Sequence, residues 1–199
     1  MRVAGLILAG GRSRRMGGGD KFMLELDGRP LITRVVERLR SQVEFLAISA
    51  NGDPERLRNF SLKVLPDETP SRGPLSGLRA GLDWAQSIGA THLVTAAADS
   101  PFLPPDLVQA LCAGMNDKHC ALAASGGRTH PTFGAWRTDV LSELDAFFGE
   151  QTADRVLDFA RRCGAAIVDF ASGSDGDPFF NVNTPEDLQT AQALISGRG

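Results

Sequence analysis

Residues 3–8, Val-Ala-Gly-Leu-Ile-Leu, form an apolar run with no polar interruption, and the run stops at Ala9-Gly10-Gly11. A strand with one wet face alternates apolar and polar side chains. An unbroken run reads instead as a strand, expected over 2–8 and covered on both faces, the situation of a parallel sheet flanked by helices. The glycines that follow allow backbone angles and close approaches that a side chain forbids, and successive free N–H groups there can cradle an anion. Arg12, Arg14, Arg15, Gly17, Gly18, Gly19, Asp20 and Lys21 come next. A strand whose carboxyl end opens onto an anion accounts for this combination; a flexible basic surface turn is the alternative. The glycine intervals do not fit GxGxxG, and no GK[ST] is present, so neither that mode of dinucleotide binding nor P-loop hydrolysis is supported.

Similar punctuation recurs down the chain. Strands are expected at 43–50, 62–65, 91–98, 119–124, 131–136 and 165–170. Helices are expected at 30–41, 74–87, 104–114, 138–148 and 152–163, with a short one at 54–58 and a last one from Pro185. Asp27-Gly28 is a turn signal, Pro30 suits a first helical turn, and Leu31, Val35, Val36 and Leu39 follow helical spacing. Strands joined by helical crossovers predict one doubly wound, mostly parallel α/β sheet. With 199 residues, the chain can bury a proper core, and no repeat or second boundary interrupts it.

Bulk properties remove several function classes. A net charge of −3 does not favour nucleic acid as a partner, although the local arginine cluster leaves room for an anionic small molecule. Residues 6–9 are too short to span a bilayer, and the arginines that follow defeat a signal-peptide reading, so no membrane partner is expected. Cys112, Cys120 and Cys163 are odd in number and lack CxxC spacing, which reads as reduced thiols in a cytoplasmic protein.

Polar residues at the strand ends are the candidates for chemistry. Asp99 follows the strand expected at 91–98, at the edge where open α/β sheets bind ligands. Mg²⁺ takes one or two carboxylates plus substrate phosphates, so Asp99 suits a metal; a helix N-cap is its other reading. Asp67 either caps its turn or contacts a base edge or ribose. Gly73 and Gly77 keep the N-terminal end of the helix opened by Pro74 accessible, where free N–H groups favour negative charge. Arg128 and His130 share a loop that can face an anionic group, whereas a lone histidine is more often structural. Thr184, Pro185 and Asp187 are explained by helix capping. Asn181 and Asn183 are not; two residues apart in extended backbone, they project to one side, for a polar ligand or for a turn.

Taken in order, Leu8-Ala9-Gly10-Gly11, Arg14-Arg15-Met16-Gly17 and Asp20-Lys21 resemble the signature loop of nucleotidyltransferases with a Rossmann-like, GT-A-like three-layer fold. In detail the chain resembles the molybdenum cofactor guanylyltransferases, the MobA family. The likeness continues through Gly28-Arg29-Pro30-Leu31, Ser49-Ala50-Asn51, Pro66-Asp67, Gly73-Pro74-Leu75-Ser76-Gly77, Asp99-Ser100-Pro101-Phe102, His130-Pro131-Thr132 and Asn181-Val182-Asn183-Thr184-Pro185-Glu186.

The resemblance implies a single nucleotidyltransferase domain over 1–199, with a nucleotide-binding half to about 115 and an acceptor half from about 116. It implies transfer of GMP from GTP to the phosphate of molybdopterin, with or without molybdenum, and release of pyrophosphate with Mg²⁺ as cofactor. Leu8, Ala9, Gly10, Gly11, Lys21, Asn51, Asp67, Gly73, Gly77 and Asp99 would then bind GTP, and Gly18 matches a further motif position near it. Arg15, Lys21 and Asp99 would be catalytic, with Asp99 also on the metal. His130, Asn181 and Asn183 would face the pterin. Some family members carry Asn where Ser49 stands, so the guanine contact falls to Ser49 or to Asn51. Molybdopterin-carrying and molybdoenzyme-maturation proteins would be transient partners. The alternatives are a transferase using CTP or a sugar phosphate, and a nucleotide-binding adaptor without activity.

Overall fold

The computed structural model describes residues 1–10, 20–67, 73–150, 155–173 and 176–197. In chain order the first half runs β1 (Val3–Leu8), β2 (Glu25–Leu26), β3 (Arg29–Pro30), α1 (Leu31–Arg40), β4 (Phe45–Ser49), β5 (Lys63–Leu65), α2 (Pro74–Ser87) and β6 (His92–Ala97). The second half runs α3 (Leu107–Gly114), β7 (Cys120–Ser125), β8 (Arg128–Arg137), α4 (Leu141–Gly149), α5 (Val156–Arg162), β9 (Ala166–Asp169) and α6 (Pro185–Ser196). Single-turn and longer 3-10 helices occupy Lys21–Met23, Pro54–Phe60 and Thr138–Val140.

Among the described residues, seven strands form one sheet in the order β5-β4-β1-β6-β8-β7-β9. Every pairing is parallel except those of β8, which runs antiparallel to both β6 and β7. β1 is buried along its whole length, as its unbroken apolar run requires. Its Val3 and Ile7 pack with α1 and α3 on one face, through Ile32, Val35, Val36, Leu107 and Leu111. Ala4, Leu6 and Leu8 pack on the opposite face with α2, α4 and α5, through Leu75, Leu78, Leu82, Leu144 and Phe159. The result is a three-layer α/β arrangement, with a mostly parallel sheet between two helical layers.

A third apolar cluster joins the β2–β3 hairpin to α6, with Leu26, Leu31, Phe102, Val182 and Ala191 fully or nearly fully buried. Asp27 and Gly28 turn this hairpin with φ of 55° and 68°, the two positive values of a type I′ turn. α6 starts with a reciprocal cap: Asp187 N–H donates to Thr184 Oγ1 at 3.1 Å, and Asp187 Oδ2 accepts from Thr184 N–H at 2.9 Å.

Two boundaries differ from expectation in a way that bears on function. The strand expected at 131–136 begins at Arg128, because Gly126 and Gly127, at φ of 54° and 77°, reverse the chain tightly enough for pairing to start at once. His130 is therefore a strand residue rather than a loop residue, opposite Ala123. The register then shifts: the next pair is Leu122 with Gly134, so Pro131, Thr132 and Phe133 bulge from the ladder. A proline is tolerated there because a bulge asks for no ladder N–H. The helix expected from 104 begins at Leu107, after Pro104 and Pro105.

Candidate active site

The functional edge is built by extending the parallel ladders past their strands. Ala50 N–H donates to Leu65 O at 3.0 Å, Ala9 N–H to Ser49 O at 2.9 Å and Ala98 N–H to Leu8 O at 3.1 Å. Val182 N–H donates to Asp99 O at 3.0 Å and ties the segment before α6 to the same edge. A cleft of about 340 Å³ opens there, lined by Leu8, Gly10, Ser49, Asn51, Asp67, Gly73, Pro74, Gly77, Ala97, Asp99, Thr132 and Asn181. Eight residues expected near the ligand, namely Leu8, Gly10, Asn51, Asp67, Gly73, Gly77, Asp99 and Asn181, thus meet in one place. Ala9 contributes differently: it is buried, and its N–H is already spent on Ser49. Gly11, Arg15 and Gly18 lie outside the described residues, as do Arg12, Arg14 and Gly17.

Two polar clusters stand in the cleft. In the first, Asp67 Oδ1 accepts from Ser49 Oγ–H and Asp67 Oδ2 from Asn51 Nδ2–H, both at 2.9 Å. Asn51 Oδ1 in turn accepts from Asp67 N–H at 2.9 Å. The carboxylate is held at both oxygens, and each oxygen keeps a lone pair for another donor. Ser49 and Asn51 act on it together. Gly77 is what lets Ser49 stand there, since a Cβ on residue 77 would lie 2.5 Å from Ser49 Oγ and 2.9 Å from Leu8 Cδ2. Gly73 has φ +56° and ψ −138° at the N-cap of α2, a conformation open to glycine and little else. At Gly10 no described atom lies within 4 Å of an added Cβ, so the cleft itself is what a side chain there would fill.

In the second cluster, Lys21 Nζ donates to Asp99 Oδ2 at 2.5 Å, to Asn181 Oδ1 at 2.9 Å and to Asn183 Oδ1. The lysine and aspartate side chains are only 16% and 20% exposed. Asp99 does not cap the following helix, whose N-cap is Asp106. One ammonium among three oxygens marks a place suited to a cation. That oxygen-only set, with a single carboxylate, fits Mg²⁺, and no group of three His, Cys, Asp or Glu competes with it among the described residues. Asp20, beside Lys21, pairs with Arg56 at 2.6 Å, and Arg56 also donates to Asn51 O, linking the two clusters.

A second cavity of about 350 Å³ adjoins the first and shares Thr132 and Asn181 with it. Arg128, His130, Phe133, Asp177, Phe179, Asn183 and Asp187 are among its lining residues. His130 is nearly buried, and its imidazole centroid lies 4.8 Å from that of Phe179. Burial holds its pKa below the ordinary value; nearby Asp177 opposes the shift and Arg128 adds to it.

A glycine-ended central strand, a caged ammonium and an open helix N-terminus at one sheet edge suit a nucleotide with its counter-cation: the chain is built as a nucleotidyltransferase. Residues 5–165 match the MobA-like NTP transferase domain, and the chain belongs to that family. It is 52% identical over 195 residues, 98% of either chain, to a molybdenum cofactor guanylyltransferase of Cereibacter sphaeroides. It is 45% identical over 199 residues to one of Mesorhizobium japonicum, covering 97% of this chain and 96% of that relative. Among solved structures, molybdopterin-guanine dinucleotide biosynthesis protein A of Archaeoglobus fulgidus superposes with a TM-score of 0.74 at 23% identity, over 99% of this chain and 100% of that one. CMP:2-keto-3-deoxy-manno-octonic acid synthetase with CTP superposes with the same TM-score, 0.74, at 18% identity over 100% of both chains. At these identities the solved structures speak to the fold.

Sequence reasoning passed over Thr132, Arg56, Ser125, Asp177 and Phe179 as site residues. Thr132 had a local signal, the neighbouring Pro131, which a regular ladder disfavours; Ser125 and Asp177, 52 positions apart, had none.

Proposed function

We propose that the protein transfers GMP from GTP to the phosphate of molybdopterin and releases pyrophosphate. The observation that carries this reading is the pair of adjoining cavities, which share Thr132 and Asn181 beside the Lys21–Asp99 pair. Two substrates placed in them would meet at the most polar point of the cleft. On this reading, residues to about 115 form the nucleotide half and those from about 116 the acceptor half.

The reaction forms a bond from an acceptor phosphate oxygen to the α-phosphorus of GTP and breaks the bond from that phosphorus to the oxygen of the leaving pyrophosphate. The attacking oxygen is already anionic, so no general base is required. Alignment and charge neutralisation can supply the catalysis. Asp67 reads guanine: its two pinned oxygens accept the N1–H and N2–H donors, a pair that neither adenine nor cytosine presents together. The N-terminal N–H groups of α2 and the Gly10 backbone face the phosphates.

Asp99 and the asparagine oxygens now on Lys21 would hold Mg²⁺, which when bound neutralises phosphate oxygens and the leaving group. Lys21 then exchanges its present partners for the phosphates. Arg15 and Gly11, from the segment between Gly10 and Asp20, complete the phosphate site. His130 and Asn183 line the acceptor cavity. The family setting and three free cysteines support a cytoplasmic location, and no described helix is long and apolar enough to cross a membrane. Proteins that deliver molybdopterin, or receive the product, are the expected transient partners.

The test is pyrophosphate release from GTP, ATP and CTP with molybdopterin and Mg²⁺, for wild type and Asp67→Ala. GTP is expected to dominate in wild type, and its lead over ATP and CTP to collapse in the variant. An unchanged preference in Asp67→Ala removes Asp67 as the base reader. Binding of GTP with no pyrophosphate release defeats the transferase reading.

A further inference from the structure

Behind the wall of the acceptor cavity, His130 and Asp177 are joined through Ser125 in a hydrogen-bond chain that phosphoryl transfer does not use. Ser125, at the end of β7, is 3% exposed. Its Oγ lies 2.7 Å from Asp177 Oδ1 and 2.8 Å from His130 Nε2. Asp177 Oδ1 also accepts from Phe179 N–H at 2.9 Å. The polarity of this chain follows from counting protons. A carboxylate only accepts, so the single hydroxyl proton of Ser125 is committed to Asp177. Ser125 Oγ can then only accept from the imidazole, which requires a proton on Nε2. In a neutral ring that leaves Nδ1 with a lone pair and no proton. Burial favours the neutral ring most strongly, Asp177 opposes it and Arg128 supports it, and the balance lies with the neutral form.

Nδ1 has no hydrogen-bond partner among the described residues. Among the described residues, the buried side-chain atoms without a partner are Arg34 Nε, Arg56 Nε and Ser100 Oγ, so Nδ1 is not a buried orphan. The open space beside His130 is the cavity it lines, and Nδ1 is the ring nitrogen left to meet a ligand there. The ring cannot easily turn away, since Phe179 packs on it at 4.8 Å and Phe133 stands edge-on at 6.5 Å.

Resting on the reading of this cavity as the acceptor site, we propose that Ser125 and Asp177 are positioning residues that hold His130 as the Nε2–H tautomer, so that Nδ1 accepts an N–H from the flat heteroaromatic ring of the acceptor. A pterin carries such donors on its pyrimidinone ring. A ring that turned only carbonyl or ether oxygens to this place would meet a lone pair and be refused, which makes the chain a selector among acceptors.

The test uses the full chain labelled with ¹⁵N-histidine. Its three histidines are His92, His119 and His130, and His130→Gln assigns the signal of interest. At pH 7 the wild-type signal should be that of a neutral ring protonated on Nε2. Ser125→Ala should give a mixture of tautomers, and should raise KM for molybdopterin about tenfold, the size of one hydrogen bond, with kcat and KM for GTP little changed. Asp177→Ala frees the serine proton to donate to Nε2, so it should move the imidazole proton to Nδ1 and raise the same KM. Ser125→Thr should restore both the tautomer and the KM.

A wild-type ring protonated on Nδ1, or on both nitrogens, overturns the proposal. So does a folded Ser125→Ala or Asp177→Ala protein in which the tautomer changes and acceptor KM does not. An Nε2–H wild-type ring in a protein that releases no pyrophosphate with molybdopterin defeats the transfer reading while the hydrogen-bond chain stands.

Discussion

The polar clusters around Lys21 and around Ser125 differ in exposure and in what encloses them. Around Lys21, three acceptors from the end of β6 and the segment 181–183 surround one ammonium that water can still reach. Around Ser125, a serine, an aspartate and a histidine are closed in by Phe133 and Phe179. A group that must trade partners when substrate arrives sits where solvent can stand in for them. A group that must present one particular atom is locked by neighbours that satisfy everything else. On the proposed reading, Lys21 moves when substrate arrives and His130 stays.

The exchangeable cluster should be the more sensitive to mutation in turnover. Asp99→Ala or Lys21→Ala is expected to lower kcat by about 10²–10³, the loss seen when one preorganised charge contact is removed. The double variant should be little worse than either single, because the two act as a unit. Steady-state pyrophosphate release measures this, and full additivity would break the picture of a single exchanging pair.

A smaller effect is expected one contact away. Gly77→Ala puts a Cβ 2.5 Å from the Ser49 hydroxyl that holds Asp67, and should raise KM for GTP about tenfold by disturbing one charge-assisted hydrogen bond. Gly81→Ala is the control. Its Cβ would meet Leu6 Cδ2 at 2.4 Å, in the core, and should cost about 1–3 kcal/mol of stability in urea without changing nucleotide choice. Thr184→Ala removes half of the α6 cap and should cost about 1 kcal/mol. Because Asn183 N–H shares Asp187 Oδ2 with Thr184 N–H, a modest fall in kcat should accompany it.

The locked cluster should show itself mildly in pH dependence. His130 and His92 both have pKa values lowered mainly by burial, so the unfolded chain takes up protons first as pH falls. Stability is then complete above the ordinary histidine pKa of about 6.5 and declines below it. Urea midpoints between pH 7.5 and 5.5 should show the decline, and His130→Gln should flatten part of it.

Much of the fold was legible because buried strands advertise themselves. The apolar runs ending at Leu8 and Ala98 stop at the strand end or one residue past it, and Pro74 opens α2 as its position suggested. Lys21, Asp99, Asn181 and Asn183 were each legible as fragments of a motif. Their convergence on one nitrogen was not, because contacts spanning 78 to 162 positions leave no local trace. The early start of β8 escaped for a related reason: Gly126-Gly127 signals a turn, but only the pairing with β7 shows that the turn is tight enough to make His130 a strand residue. Ser125 was expected just past the strand at 119–124, and nothing local pointed to Asp177 beside it.

The most direct measurement follows label from α-³²P-GTP into product with molybdopterin, Mg²⁺ and the full chain, while counting pyrophosphate. One guanylyl group should be transferred per pyrophosphate released, with CTP and ATP giving little of either. Equal transfer from CTP, or GTP bound with neither product formed, would contradict it.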